Sequence, residues 1–234
     1  CDGRLYCFGH GGCGQLGNGS TNNSYAPIEV KDLPLLRSVA CGDNFTVALG
    51  RDNTVWTFGQ NNQGQLGLKN TNNVSSPTRL PIKARQIACG SNHVLALGMD
   101  GHLYAWGNNQ QGQLGCAPKN SSEIVKIDSA PRGIQSVHCG AQYSIILDRS
   151  KSIWSTGNNA NGQLGSGDRQ QKSQFTKIAN FSAKQVACGG LFVMCVTPDD
   201  QLWGWRTNQY GELSRNSNSP TQLKLDCVAV SVGV

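Results

Sequence analysis

Gly9-His10-Gly11-Gly12-Cys13-Gly14 has the G-x-G-x-x-G spacing with which backbone amides cradle a pyrophosphate. That chemistry needs a strand before the glycines and a helix after them, so that amides and helix dipole converge on the phosphates. Here Gln15-Leu16-Gly17 and a polar loop follow, and nucleotide binding is not expected. Four histidines, His10, His93, His102 and His138, are scattered, and no Ser, His and carboxylate set recurs with them. No paired carboxylates stand out either. Ten cysteines suggest disulfides or zinc, but no Cys-x-x-Cys pair exists. These residues assign no catalytic group, no cofactor and no metal.

The elements that would have to position any chemistry are set by a repeat. Gly14-Gln15-Leu16-Gly17 returns as Gly64 to Gly67, Gly112 to Gly115 and Gly162 to Gly165, with a decayed copy at Gly211-Glu212-Leu213-Ser214. The interval is 48 to 50 residues, and a fixed period of this length marks a repeat architecture. A second anchor keeps step: Ala40-Cys41-Gly42, Ala88-Cys89-Gly90, His138-Cys139-Gly140 and Ala187-Cys188-Gly189, then Val232-Gly233. Apolar runs follow it at Phe45 to Leu49, Val94 to Leu97, Tyr143 to Leu147 and Phe192 to Val196. Turn residues led by Asp52, Asp100, Asp148 and Asp199 separate them from a further strand, Val55 to Phe58, Leu103 to Trp106, Ile153 to Thr156 and Leu202 to Trp205. Short β-branched and aromatic runs joined by Asn/Asp/Gly turns are hairpins. A weaker strand covers Ile28 to Lys31, Thr78 to Leu80, Ile124 to Ile127, Phe175 to Ile178 and Leu223 to Leu225.

Each unit of about 49 residues therefore holds four short strands and no helical period, the signature of an all-β propeller blade. Five units are visible, four full and one split, anchored at Gly14, Gly64, Gly112, Gly162 and Gly211 across residues 1–234. The anchor leucine is expected to wedge between blades, and the anchor glutamine to satisfy loop backbone groups. The paired asparagines Asn61-Asn62, Asn108-Asn109 and Asn158-Asn159 read as a loop column, either for recognition or as turn formers that tolerate positive φ. Trp56, Trp106, Trp154, Trp203 and Trp205 read as core and inter-blade packing. Cys41, Cys89, Cys139 and Cys188 share one column, one per blade. They are expected as small buried thiols beyond the Cα spacing of about 6 Å that a disulfide needs. Unpaired cysteines point to a reducing intracellular compartment.

These anchors resemble the RCC1-like repeat of the regulator of chromosome condensation family: an aromatic and Gly, then Gly-Gln-Leu-Gly, then Cys-Gly and an apolar strand. Kelch repeats have a similar period but carry a double glycine. The resemblance implies a β-propeller, usually seven-bladed, in one domain. With its split unit, this chain is then either a fragment of such a propeller or a five-unit ring short of part of a strand. Gly204-Trp205-Arg206-Thr207 looks like the motif of the family's plant ultraviolet photoreceptor. It stands in the Trp106 column, however, and the columns where that motif belongs lack Trp, which argues against light sensing.

The formal net charge is +6, and charged residues are only 15% of the chain. Lys31, Lys126, Lys177 and Lys224 align in one column, with Pro81 in the second repeat, and Arg37, Arg85 and Lys184 stand five residues before the glycine of the Cys-Gly anchor. Repeated on a propeller, they form an arc that meets an acidic partner such as an acidic protein surface, nucleic acid or chromatin. The alternative is that they are edge-strand lysines that block sheet-to-sheet pairing. The expected function is a non-enzymatic protein-interaction scaffold. What the family implies as alternatives is a guanine-nucleotide exchange factor for a Ran-type small GTPase, or the partner-binding propeller of a ubiquitin ligase or ciliary GTPase regulator. Cytoplasmic, nuclear and ciliary homes all fit. No apolar run approaches the roughly 20 residues of a membrane span.

Overall fold

The computed structural model describes residues 2–206, 217–226 and 229–231, all in strands, turns and irregular segments with no helix. None of these residues forms a helix long and apolar enough to cross a membrane. The contacts divide the chain into two units, described separately: Cys1–Asn108 with Asn120–Lys126, and Asn109–Lys119 with Ile127–Val234.

In the first unit β1 (Tyr6–Gly9) and β2 (Ser24–Glu29) form a two-stranded antiparallel sheet. A seven-stranded sheet follows in sequence order: β3 (Leu36–Cys41), β4 (Phe45–Gly50), β5 (Thr54–Gly59), β6 (Val74–Cys89), β7 (His93–Gly98), β8 (Leu103–Gly107) and β9 (Ser121–Lys126). The 16-residue β6 pairs with β5 through its first half and with β7 through its second. It is thus the outer strand of one four-stranded meander and the inner strand of the next. The second unit holds two further four-stranded meanders. One is β10 (Ile134–Cys139), β11 (Tyr143–Asp148), β12 (Ser152–Gly157) and β13 (Lys172–Ser182). The other is β14 (Gln185–Cys188), β15 (Val193–Val196), β16 (Gln201–Arg206) and β17 (Ser217–Asp226).

The apolar runs after Cys-Gly become the second strand of each meander. β4, β7 and β11 are buried at every residue because both faces are covered. The anchors dock these meanders on one another. Leu66 lies in one core with Phe45, Val47, Leu49, Val94, Ala96 and Trp106, which come from both meanders of the first unit. Leu164 does the same in the second unit among Tyr143, Ile145, Val186, Val193 and Trp205. The wedge role of the leucine is observed, and so is that of Trp106 and Trp205, whose indole N–H groups donate to the carbonyls of Gln65 and Gln163 at 3.0 and 2.9 Å. Trp56 and Trp154 differ: they are half-buried, and their N–H groups bond locally to Thr54 and Asp148.

The anchor glycine is required by space. Gly64 has φ +78°, and a Cβ there would stand 2.6 Å from the Ser122 Cα on β9. Only a residue without a side chain lets the loop lie on that strand.

The fourth strand corrects the sequence expectation. It begins earlier than read, at Ser24, Val74, Ser121, Lys172 and Ser217. Lys31 lies beyond the end of β2, and Ile127 beyond the end of β9. The pairing starts where Gly9 faces Ser24 and Gly59 faces Val74, so backbone register and not the most apolar stretch sets the strand. The decayed anchor at Gly211 to Ser214, Thr207, Cys1, Cys227 and the Val232-Gly233 pair lie outside the described residues.

Candidate functional site

The polar anchor residues are taken up by structure. Gln65 is fully buried; its Oε1 accepts the Gln63 N–H at 2.8 Å and its Nε2 donates to Asn92 Oδ1 at 3.1 Å. Gln15, Gln113 and Gln163 accept the equivalent N–H groups of Cys13, Gln111 and Asn161 at 2.9 Å. The glutamine role expected from the sequence is therefore observed.

The asparagine pairs are not one column. Asn61, Asn109 and Asn159 are equivalent and fully buried, whereas Asn62, Asn108 and Asn158 are not. The buried three accept the N–H of Leu66, Leu114 and Leu164 at 2.9, 2.9 and 3.0 Å. Their amides donate to loop carbonyls at Asn70, Ala117 and Gln170. None of them has positive φ. They are loop clamps, neither recognition residues nor left-handed turn formers.

His93 starts β7 in the column of Phe45 and Tyr143, fully buried, and burial pushes its pKa down to about 3. An imidazole held neutral in a packed column is not poised to titrate near pH 7. His138 is pushed down to about 4 by burial, with Nε2 at 2.9 Å from Ser136 Oγ. Eight described cysteines are free thiols. Cys139 is buried and Cys89 and Cys188 are half-buried, but Cys41 is exposed. The expectation of buried thiols therefore holds fully only at Cys139 and fails most at Cys41. Burial raises the pKa of Cys41, Cys188 and Cys195, the opposite of an activated nucleophile. Among the described residues no group of His, Cys, Asp and Glu is arranged to hold a metal ion.

What remains is a set of exposed cations on the strands. Register defines its columns: Tyr6 faces Glu29, Trp56 faces Arg79, Tyr104 faces Lys126, Trp154 faces Lys177 and Trp203 faces Gln222. Lys126 and Lys177 share a column as expected. Lys31 and Lys224 stand two residues past it, and the side chain of Lys224 lies outside the described residues. The second repeat contributes Arg79 to the column, not Pro81. Sequence alignment missed Arg79, although Glu29, Arg79 and Lys177 each stand fifteen residues after their anchor glycine.

Charge pairing sorts these groups further. Lys31 is neutralised by Glu29 and Lys184 by Asp200. Arg37 and Arg85 occupy equivalent β-bulges, between Leu36 and Ser38 and between Ala84 and Gln86. The bulge re-aims the extra residue: Arg37 is exposed and Arg85 half-buried. Arg37, Lys126 and Lys177 are exposed and make no ion pair among the described residues. Lys177 lies with Lys172 along a groove of the second unit, of about 340 Å³, closed by Gly165 to Asp168 and by Ser219-Pro220.

Four-stranded antiparallel meanders locked by a Gly-Gln-Leu-Gly loop define the class of all-β propeller proteins. The solved structures agree. Human WBSCR16 superposes with a TM-score of 0.88 at 21% identity, over 100% of this chain and 66% of its own. Yeast RCC1 (Prp20), seen bound to Kap60, gives 0.86 at 21%, over 99% and 60%. A second structure of Prp20p, from Saccharomyces cerevisiae, gives 0.62 at 19%, over 97% and 76%; that work concerns its binding to Gsp1p and histones. This chain belongs to the RCC1-like domain family, whose sequence profile matches residues 1–233. It spans less than two thirds of each of the first two structures, 66% and 60%.

Proposed function

We propose that this chain is a non-enzymatic scaffold for protein contacts, meeting acidic partner surfaces through Arg37, Arg79 and Lys126 of the first unit and, separately, through Lys177 of the second. The observation that carries this reading is the division of labour among polar groups. Buried Gln and Asn residues hold the loops, while these cations stay exposed on strands that recur from unit to unit. A rigid sheet framework with variable exposed positions is the usual arrangement of a binding platform. The edge-lysine reading draws on the same exposure, since a cation on an outer strand also keeps sheet edges apart. The two separate on whether a partner feels the charges. Free thiols at eight positions fit a reducing intracellular compartment.

Prp20p is described with Gsp1p and histones, which makes a Ran-type GTPase and a nucleosome core particle the first probes. Binding of each is titrated by fluorescence anisotropy, and release of labelled GDP from the GTPase is followed alongside. The account expects binding to an acidic surface without faster GDP release. Accelerated release would replace it with the exchange-factor reading, and no binding to either probe would count against both as partners.

A further inference from the structure

The outer strands carry a second column of equivalent residues. Ala26, Ser76, Glu123, Gln174 and Ser219 stand three residues before Glu29, Arg79, Lys126, Lys177 and Gln222, which strand register places at one position of the repeat. The two serines of this column are each followed by proline, in Ser76-Pro77 and Ser219-Pro220. Ser76 alone also has a cation three residues on, because Arg79 stands where the fifth repeat has Gln222. Arg79 is exposed and makes no ion pair among the described residues.

The fold presents Ser76 to solvent. Gly59 pairs with Val74 and Thr57 with Thr78, so Ser75, Ser76 and Pro77 together stand opposite Phe58 alone. Such extra residues leave the ladder and bend the strand, and Pro77 has no N–H to give it. Ser76 is exposed. Its carbonyl accepts the Thr78 hydroxyl at 3.3 Å, while its Oγ makes no hydrogen bond among the described residues. The loop at Gly19 approaches without sealing it: a Cβ built there would stand 3.6 Å from Ser76 Oγ. Ser219 is half-buried instead, with a Cβ on Gly167 at 3.4 Å from its Oγ.

An exposed hydroxyl outside the ladder, followed by proline and then by a guanidinium, is a substrate for a proline-directed protein kinase that favours a basic residue three positions after the serine. We propose that Ser76 is a phosphorylation site for a kinase of this class, and that its phosphate turns off Arg79 as a contact for an acidic partner. The second half rests on the reading of Arg79 given under Proposed function. In the transfer, Ser76 Oγ bonds to the γ-phosphorus of ATP as the bond to the bridging oxygen breaks. The hydroxyl proton passes to the catalytic carboxylate of the kinase, and ADP leaves. Phosphoserine carries a charge of about −1.5 to −2 at pH 7, against the single positive charge of Arg79. Three strand residues span about 10 Å, within the Debye length of about 14 Å in about 50 mM salt. Phosphate is also the anion that the arginine fork binds bidentately, so it competes with a partner carboxylate for Arg79. The third repeat shows that the framework accepts an anion at this position: Glu123 is exposed there, three residues before Lys126. Phosphorylation gives the second repeat, on demand, the charge that Glu123 gives the third permanently.

The test incubates the folded chain with ATP and a purified kinase of this class, and locates the phosphate by tandem mass spectrometry. Modification at Ser76 is expected, absent in Ser76→Ala and at least about tenfold slower in Pro77→Ala. Phosphate found nowhere, only after unfolding in urea, or at Ser219 in preference to Ser76 would overturn the site. Binding of the nucleosome core particle to the phosphorylated and unmodified chains is then compared in about 50 mM salt. Binding at least about fivefold weaker after phosphorylation is expected. Ser76→Glu, which copies Glu123, should reproduce part of the loss, and Ser76→Ala taken through the same kinase treatment should keep full binding. Equal binding by both forms, or a loss that persists in treated Ser76→Ala, would overturn the switch. An unmodified chain that does not bind the core particle would contradict the reading of Arg79 and the switch with it, while the mass spectra still decide the site.

Discussion

At the scale of single residues, the anchor is a set of buried groups with separable duties, and each duty makes a prediction. Leu66 is fully buried in a core shared by two meanders, so Leu66→Ala is expected to cost about 2–5 kcal/mol of unfolding free energy. Leu35→Ala, at a half-exposed site, should cost under about 0.5 kcal/mol in the same urea titration. Gln65→Ala leaves the Gln63 N–H and the Asn92 amide without their buried partner and should cost about 1–3 kcal/mol. His93 makes stability depend on pH. Its folded pKa is lowered by burial to about 3, while the unfolded chain takes up the proton near 6.5. The contribution of neutral His93 is therefore whole above about pH 6.5 and is lost progressively as pH falls toward 3. His93→Phe, which adopts the residue type found at Phe45 in the same column, should flatten the dependence in that window. Urea unfolding between pH 4 and 7 reads it directly, and an unchanged slope would mean that other groups dominate.

At the scale of elements, loops and strands answer to different rules. The Gly64 loop lies on β9 so closely that Gly64→Ala is expected to lose at least about 1 kcal/mol from strain at positive φ, plus the clash with Ser122. Gly101→Ala meets the same φ strain with nothing within 4 Å of its Cβ. The difference between the two variants in thermal unfolding isolates the docking contact. Much of this level was legible in the sequence, because period, Gly-Gln-Leu-Gly spacing and alternating apolar residues determine which strands pair. The outer strand was not. Its residues from Val74 to Lys83 alternate weakly and include Pro81, and a register shift between Gly59 and Thr57 brings Arg79, not Pro81, opposite Trp56. The clamp role of Asn61 was hidden for a related reason. Its partners, Leu66 N–H and the Asn70 carbonyl, become neighbours only when the loop closes, and asparagine types alone suggest a turn. The neutralised state of Lys31 and Lys184 likewise depends on the positions of Glu29 and Asp200 in space.

At the scale of the molecule, the chain presents a repeated framework whose polar interior is consumed by its own loops and whose exposed cations recur on the outer strands. Charge that serves only to keep sheet edges apart can be reversed without consequence for a partner, whereas charge in an interface changes association and its response to salt. The measurement that decides between these is binding of the nucleosome core particle from 50 to 200 mM salt, for the unaltered chain, for Lys126→Glu with Lys177→Glu, and for Lys31→Glu with Lys184→Glu. The account predicts binding that weakens steeply with salt, since the Debye length falls from about 14 Å to about 7 Å across this range. It predicts that each reversal at Lys126 or Lys177 weakens binding by about 1 kcal/mol, roughly fivefold, and that reversal of the already paired Lys31 and Lys184 matters less. Binding that ignores salt, or that responds equally to both pairs of reversals, would contradict the assignment of the outer-strand cations as the interaction surface.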